Sequence, residues 1–405
     1  MDRRALPVPD LDCSEVEYVA PRNALEAQLV NLWESVLGVR PIGVTDDFFD
    51  LGGHSLLGVR LFTQIEKLFG KQLALATLFQ APTVEQLANV LHQDNWSPPW
   101  TSLVAIQPGG CKPPFYCIHE VDGNVLYYRD LAMHLGPDQP FFGLQAQGLD
   151  GKQPPIARFE DIAAHYVAEI RSFQPNGPYF LGGSSLGGMV AFEMAQQLYA
   201  QGQKVALLAL FDTWSPGYLK LQSLPLPYLV SRHVEALSHL GLRERLVYIR
   251  DRAATRLNLI KWVTQYYNKT RWWTMHNACR VYLSQRWPLP PVLLNFYVKE
   301  TIIHARENYV PRPYPGKVTF FLADDRPPRY YHDPRLDRES LVAAGFTDSK
   351  NVETVWQQVS ALGWGALAAG GLEIIQVPGK HADIVREPHV PALAEKLRMC
   401  MASGS

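Results

Sequence analysis

The chain has 405 residues, 47% of them hydrophobic, which at about 150 residues per domain is enough for two or three packed cores. Thirty-eight basic against 39 acidic side chains leave a formal net charge of -1, so no surplus of charge points to nucleic acid or an anionic membrane as partner. The five cysteines, Cys13, Cys111, Cys117, Cys279 and Cys400, form no C-x-x-C pair and no stapled framework, and no apolar run nears the roughly 18 residues that cross a bilayer. A cytoplasmic protein without a metal site is expected.

Residues 1–20, MDRRALPVPDLDCSEVEYVA, carry proline and no period, and read as a tail or linker. From Asn23 the pattern turns helical: Leu25, Leu29, Leu32 and Val36 recur on one face and Gly38 supplies a stop. A second stretch, SLLGVRLFTQIEKLFG, puts Leu57, Leu61, Ile65 and Leu68 on one face and ends at Gly70. A third opens with the capping box Thr83-x-x-Gln86 ahead of Leu87, Val90 and Leu91. These periods predict a small helical domain over 21–94. The segment 95–112 is rich in proline and glycine and reads as the connection to a second domain.

From 113 to 400 short apolar runs alternate with amphipathic ones: FYCIH, PFFGLQ, PYFLGG, VALLALFD, KVTFFLAD and LEIIQVPG are the strands. Strand-helix alternation predicts a mostly parallel α/β sheet. Between VALLALFD and KVTFFLAD the rhythm breaks, and about 214–312 read as proline-punctuated helices, an excursion of the size used for lids.

Gly183-Ser184-Ser185-Leu186-Gly187 is a G-x-S-x-G sequence lying between the strand PYFLG and the helix GMVAFEMAQQLYA, the setting of a nucleophile elbow. Glycines permit a turn too tight for Cβ atoms, which exposes Ser185 Oγ and turns the Leu186 N–H toward a developing oxyanion. Serine needs a base and a carboxylate, in the chain order Ser, acid, His for such a sheet. His381, after the terminal run LEIIQV, is the base. His389 reads as a surface residue beside a helix start, and His119, at the end of FYCI, as a packing or loop-shaping residue. The acid is Asp212, after VALLALF, with Asp324 and Asp325, after KVTFFLA, as the alternative. The second oxyanion donor is expected from the loop HEVDGN, where Gly123 permits a sharp turn: the N–H of Val121, or else that of Asp122.

Ser55, in DLGGHSLLG, has glycine neighbours but no preceding strand and no usable base. A serine at a helix N-terminus suits a phosphodiester, because free N–H groups and the helix dipole favour an anion there, although a plain N-cap serine has the same spacing. DDFFDLGGHSLLGVRLF resembles the modification site of the peptidyl carrier domains of nonribosomal peptide synthetases, and the pattern holds from about 22 to 92, through LFQAPTVEQLANVL. The resemblance implies a four-helix carrier bundle with 4′-phosphopantetheine on Ser55. His54, where many polyketide carriers have aspartate, is the peptide type. DRRALPVPD is similar to the end of an adenylation domain. The region from about Pro114 to Met399 resembles the type I thioesterases that end such assembly lines, which implies an α/β-hydrolase domain with a helical lid. That family's triad falls on Ser185, Asp212 and His381 and its oxyanion hole on Val121 and Leu186. HEVDGN departs from the family in lacking its proline and second glycine.

Together the resemblances imply release of a peptidyl or acyl thioester through an acyl-serine, by hydrolysis or by ring closure. The implied partners are upstream condensation and adenylation domains and a phosphopantetheinyl transferase. An editing thioesterase and an inactive carrier-docking module are the alternatives. The lid cations Arg243, Arg245, Arg250, Arg252, Arg256, Lys261 and Arg271, interleaved with aromatics, are read as solvated helix faces rather than a nucleic-acid groove.

Overall fold

A computed structural model of the protein describes residues 18–93 except Gln72 and Ala74, 101–216, 269–324, and 363–404 except Ala382. Its contacts divide the chain into two units, 1–98 and 99–405.

In the first unit, α1 (Ala24–Leu37) begins where Asn23 Oδ1 accepts the Glu26 N–H at 2.9 Å and ends at Gly38, whose φ of 72° takes the left-handed turn that stops a helix. The second helix, α2 (Ser55–Phe69), ends the same way at Gly70. The short α3 (Thr77–Gln80) follows, and α4 (Val84–His92) starts on the expected capping box, with both Thr83 and Gln86 side chains engaged. Leu29, Trp33, Leu61, Ile65 and Leu87 are fully buried, as are Ile42, Val44 and Phe48 from the α1–α2 connection, and the Trp33 and Phe48 rings meet edge to face. Each such side chain contributes about 1.5–3 kcal/mol. Leu68 departs from expectation: it is 62% exposed, because the last turn of α2 runs past this core. A single turn such as α3 carries too few residues to show a period, which is why none was predicted there.

The second unit is built on a seven-stranded sheet in the order β1-β3-β2-β4-β5-β6-β7. Its strands are β1 (Leu103–Gln107), β2 (Phe115–Ile118), β3 (Phe141–Leu144), β4 (Tyr179–Ser184), β5 (Val205–Phe211), β6 (Val318–Ala323) and β7 (Leu372–Val377). All neighbouring pairs are parallel except β1 with β3. The six predicted strands are present. The seventh, β1, lies inside the segment 95–112 expected to be a linker. Its five residues sit between proline and glycine signals and are made a strand by antiparallel pairing with β3, a partner the local sequence does not show.

Side chains alternate between the two faces of each strand. Tyr116, Ile118, Leu181, Leu208 and Leu210 pack with α6 (Phe159–Phe173) and α7 (Leu186–Ala200), while α5 (Arg129–Leu135) packs with α10 (Val390–Gly404). Between β5 and β6 the described residues include α8 (Lys269–Ser284) and α9 (Pro291–Glu307), which pack on each other. Val298, Ile302 and Ala305 of α9 join the core of the sheet.

Candidate active site

Strand β4 ends at Ser184 and α7 begins at Leu186, so Ser185 alone makes the turn. Its φ of 53° and ψ of -117° lie where a residue with a Cβ is strained, at a cost of about 1–3 kcal/mol. Close approach explains the glycines around it. A Cβ on Gly183 would stand 2.4 Å from Gly187 C, one on Gly187 2.2 Å from Ile118 O, and one on Gly188 2.0 Å from Thr213 Oγ1. The start of α7 is thus wedged between the carboxyl ends of β2 and β5. Ser184 is fully buried, its hydroxyl without a partner among the described residues.

Three side chains from distant segments meet at this turn. Ser185 Oγ lies 3.1 Å from His381 Nε2, and His381 Nδ1 lies 2.7 Å from Asp212 Oδ2. Since a carboxylate accepts, Nδ1 carries the proton and Nε2 is free to take that of Ser185. Asp212 is fully buried; its other oxygen accepts the Ala323 N–H at 3.2 Å, and its own N–H donates to Phe321 O at 2.8 Å. The alternative acid Asp324 is engaged elsewhere, accepting the Gly379 N–H at 3.1 Å in the turn before His381. Asp325 lies outside the described residues. His389 is half-buried over Gly379 rather than at the surface, since the chain before α10 folds back on that turn.

Two aromatic residues without a local signal complete the surroundings. Trp214 stacks on the His381 ring with centroids 5.3 Å apart and an interplanar angle of 27°. The fully buried Trp364 donates its indole N–H to Thr213 O at 2.7 Å, holding the residue next to Asp212.

The loop after β2 runs past the start of α7. His119 is fully buried, donating Nδ1–H to Glu120 O and accepting the Tyr166 hydroxyl on Nε2 at 2.7 Å, which fits its expected loop-shaping role. Burial pushes its pKa down to about 4, so the ring is neutral. Val121 is half-buried and Asp122 exposed. Gly123 has a φ of 83° and approaches Ala146 Cβ and Val298 of α9. Among the described residues neither the Val121 nor the Leu186 N–H has a protein acceptor.

In the first unit Ser55 is the first residue of α2, and His54 occupies the N-cap without a side-chain cap bond. The plain N-cap reading of Ser55 therefore does not hold. The first turn carries no acidic residue. Gly52, with a φ of 86°, and Gly53, where a Cβ would be 2.3 Å from Phe48 O, fold the preceding loop tightly under it. A phosphodiester on Ser55 fits this helix start.

Among the aromatics interleaved with the lid cations, Trp272 stacks on His276 and donates to Glu300 at 2.8 Å, within the α8–α9 pair. The cations from Arg243 to Lys261 lie outside the described residues. Among the described residues no group of acidic, histidine and cysteine side chains could hold a metal, and no helix is long and apolar enough to cross a membrane.

Fold and site define a small helical domain followed by an α/β-hydrolase-type domain with a mixed sheet. The family model for the phosphopantetheine attachment site matches residues 27–91, and that for the thioesterase domain matches 113–261. The chondramide synthase of Chondromyces crocatus is 30% identical over 407 residues, covering 98% of this chain and 10% of that protein. A dimodular nonribosomal peptide synthase of Bacillus subtilis is 40% identical over 225 residues, covering 56% of this chain and 9% of the relative. The chain belongs to the nonribosomal peptide synthetases, as a peptidyl carrier domain followed by a thioesterase domain. It spans a tenth or less of the length of these two relatives. A solved four-domain nonribosomal peptide synthetase bound to AMP and glycine aligns over 98% of this chain and 28% of its own, with 25% identity and a TM-score of 0.49.

Proposed function

We propose that this chain is the terminal part of a cytoplasmic assembly line: its carrier domain presents a peptidyl or acyl thioester, and its thioesterase domain releases the chain through an acyl-serine on Ser185. The observation that carries the reading is the hydrogen-bonded line from Ser185 through His381 to the buried Asp212, at a serine held in a strained turn. The carrier is taken as a four-helix bundle over 21–94, with 1–20 as the end of an upstream adenylation domain. The thioesterase domain runs to about 400 and begins at β1 rather than at 113. Residues 214–312, of which 217–268 lie outside the described residues, are taken as the lid over the acyl channel. Upstream condensation and adenylation domains and a phosphopantetheinyl transferase are the partners.

When bound, 4′-phosphopantetheine would supply a thiol at the end of a long flexible arm, and the start of α2 at Ser55 would hold its phosphodiester. In the thioesterase domain His381 Nε2 takes the Ser185 proton as Oγ bonds to the thioester carbonyl. Asp212 holds the imidazolium in place, and the N–H groups of Leu186 and Val121 receive the oxyanion. As the C–S bond breaks, His381 returns the proton to the departing thiolate and an acyl-serine remains. Water, or an amine or hydroxyl of the acyl chain itself, then gives its proton to His381 as it bonds to the acyl carbonyl, and His381 passes that proton to Ser185 Oγ as the ester bond breaks. Which nucleophile wins depends on how far the lid excludes water.

The test is intact mass after incubation with coenzyme A and a broad phosphopantetheinyl transferase, then with an acyl-coenzyme A donor in place of coenzyme A. The expected result is one added phosphopantetheine in the wild type and none in Ser55→Ala, with the acyl group lost over time in the wild type and retained in Ser185→Ala. No gain in folded wild type, or equal acyl loss in Ser185→Ala, would overturn the reading.

A further inference from the structure

Behind the loop that carries Val121, one short turn bears two adjacent tyrosines. The 3-10 turn Leu126–Tyr128 buries Tyr128 completely and Tyr127 to 9% exposure, with their rings 4.4 Å apart. Neither hydroxyl contacts Ser185, His381 or Asp212. Tyr128 donates to Ile118 O at 2.8 Å and accepts the Ser184 N–H at 3.0 Å. Tyr127 accepts the N–H of Glu120 at 2.5 Å. Burial holds both phenols protonated far above neutral pH, so Tyr128 keeps the proton that its bond to Ile118 requires.

These partners are the peptide groups that flank the two oxyanion donors. Ile118 ends β2, Glu120 immediately precedes Val121, and Ser184 stands two residues before Leu186. The remaining bonds of the loop complete the grip: His119 N–H on Leu144 O at 3.0 Å, Gly123 N–H on Glu120 O at 3.1 Å, and Ala146 N–H on Gly123 O at 2.8 Å. A single buried hydroxyl thereby ties the β2 loop to the elbow strand at their carboxyl ends. Two N–H groups can stabilise an oxyanion only if both point at one spot before the charge develops, and a drift of an ångström loses much of the effect.

We propose that Tyr128, seconded by Tyr127, is a positioning residue that sets the spacing between the Val121 and Leu186 N–H groups. The inference rests on the functional reading above and deepens it. A phenol does this where a serine would not, because its rigid ring reaches from the turn at Leu126–Tyr128 to the carboxyl ends of the central strands β2 and β4 and buries apolar surface on the way.

The experiment compares Tyr128→Phe, Tyr127→Phe and a control, Tyr116→Phe, in the full chain. Tyr116 is another buried tyrosine, whose hydroxyl meets Gln174 at 2.9 Å away from the loop. The readouts are kcat and KM on an acyl N-acetylcysteamine thioester, and the affinity of an alkyl trifluoromethyl ketone, whose serine adduct places an oxyanion between the two donors. Tyr128→Phe is expected to lower kcat by about 10- to 100-fold with KM within twofold, and to weaken the ketone by a similar factor. Tyr127→Phe is expected to do the same to a smaller extent, and Tyr116→Phe to leave both unchanged while losing comparable thermal stability.

Wild-type kcat and ketone affinity in folded Tyr128→Phe would overturn the proposal. So would equal losses in Tyr116→Phe, which would make the effect one of stability alone. If Tyr128→Phe does not fold, Tyr127→Phe decides by the same criteria. A wild-type chain that hydrolyses no thioester, and whose Ser185 takes no fluorophosphonate, overturns the functional reading itself and this inference with it.

Discussion

The imidazole of His381 and the carboxylate of Asp212 meet at 2.7 Å although 169 residues of chain separate them. An asparagine at 212 would offer an amide N–H to Nδ1 and favour the tautomer in which Nε2 carries the proton and cannot take one from serine. Asp212→Asn is therefore expected to lower kcat by about 10³–10⁴-fold with little change in KM. Asp324→Asn, whose oxygen serves the Gly379 turn, should stay within about threefold. Steady-state kinetics on a soluble thioester checks both, and the reverse order would move the acid to the end of β6.

The two adjacent serines have opposite surroundings, one in the strained turn beside His381 and one buried with a hydroxyl that has no partner among the described residues. Labelling by a fluorophosphonate is expected to vanish in Ser185→Ala and persist in Ser184→Ala. Gel fluorescence or intact mass reads the result directly.

At Gly187 an added methyl group would press on the backbone oxygens of Ile118 and His119, at 2.2 and 2.6 Å. Backbone cannot swing aside as a side chain does. Gly187→Ala is expected to cost at least about 1–3 kcal/mol of stability and to separate the β2 loop from the elbow, lowering kcat more than KM. Denaturant titration and kinetics on the same preparation would show whether the two losses travel together.

Burial lowers the His119 pKa from 6.5 to about 4, so between these values the unfolded chain binds a proton that the folded one does not. The stability this group contributes is present above pH 6.5 and falls as pH drops toward 4, by about 2–3 kcal/mol between pH 7.5 and 4.5. His119→Asn, which keeps a donor for the Glu120 carbonyl, should show a smaller difference between the two pH values. Chemical denaturation at both pH values checks this, and an unchanged difference would mean the proton is taken up without penalty.

Thr83 and Gln86 cap α4 reciprocally in the first unit. Thr83→Ala is expected to cost that unit about 1 kcal/mol. Calorimetry should show the carrier transition shifting down while that of the thioesterase domain, folded around its own core, stays in place.

Much of the fold was legible because its signals are local. The stops at Gly38 and Gly70, the capping box at Thr83 and the alternation of strands and helices each lie within a few residues, where backbone preference and hydrophobic period act directly. The elbow at Ser185 was legible for the same reason, since strand, glycines and helix adjoin it in sequence. A short edge strand like β1 was not, because antiparallel pairing with β3 and not its own period makes it a strand.

The sequence by itself determined the division into a helical and an α/β part and offered Ser55, Ser185, Asp212 and His381 as the residues with chemistry to perform. Only the tertiary structure decided that Asp212 rather than Asp324 faces His381, and that Trp214, Trp364 and the Tyr127–Tyr128 pair surround the site. These contacts are made between segments brought together by parallel pairing of strands far apart in the chain. A carboxylate at the end of β5 and another at the end of β6 look alike in sequence; which one meets the imidazole depends on strand order and on the burial that order creates.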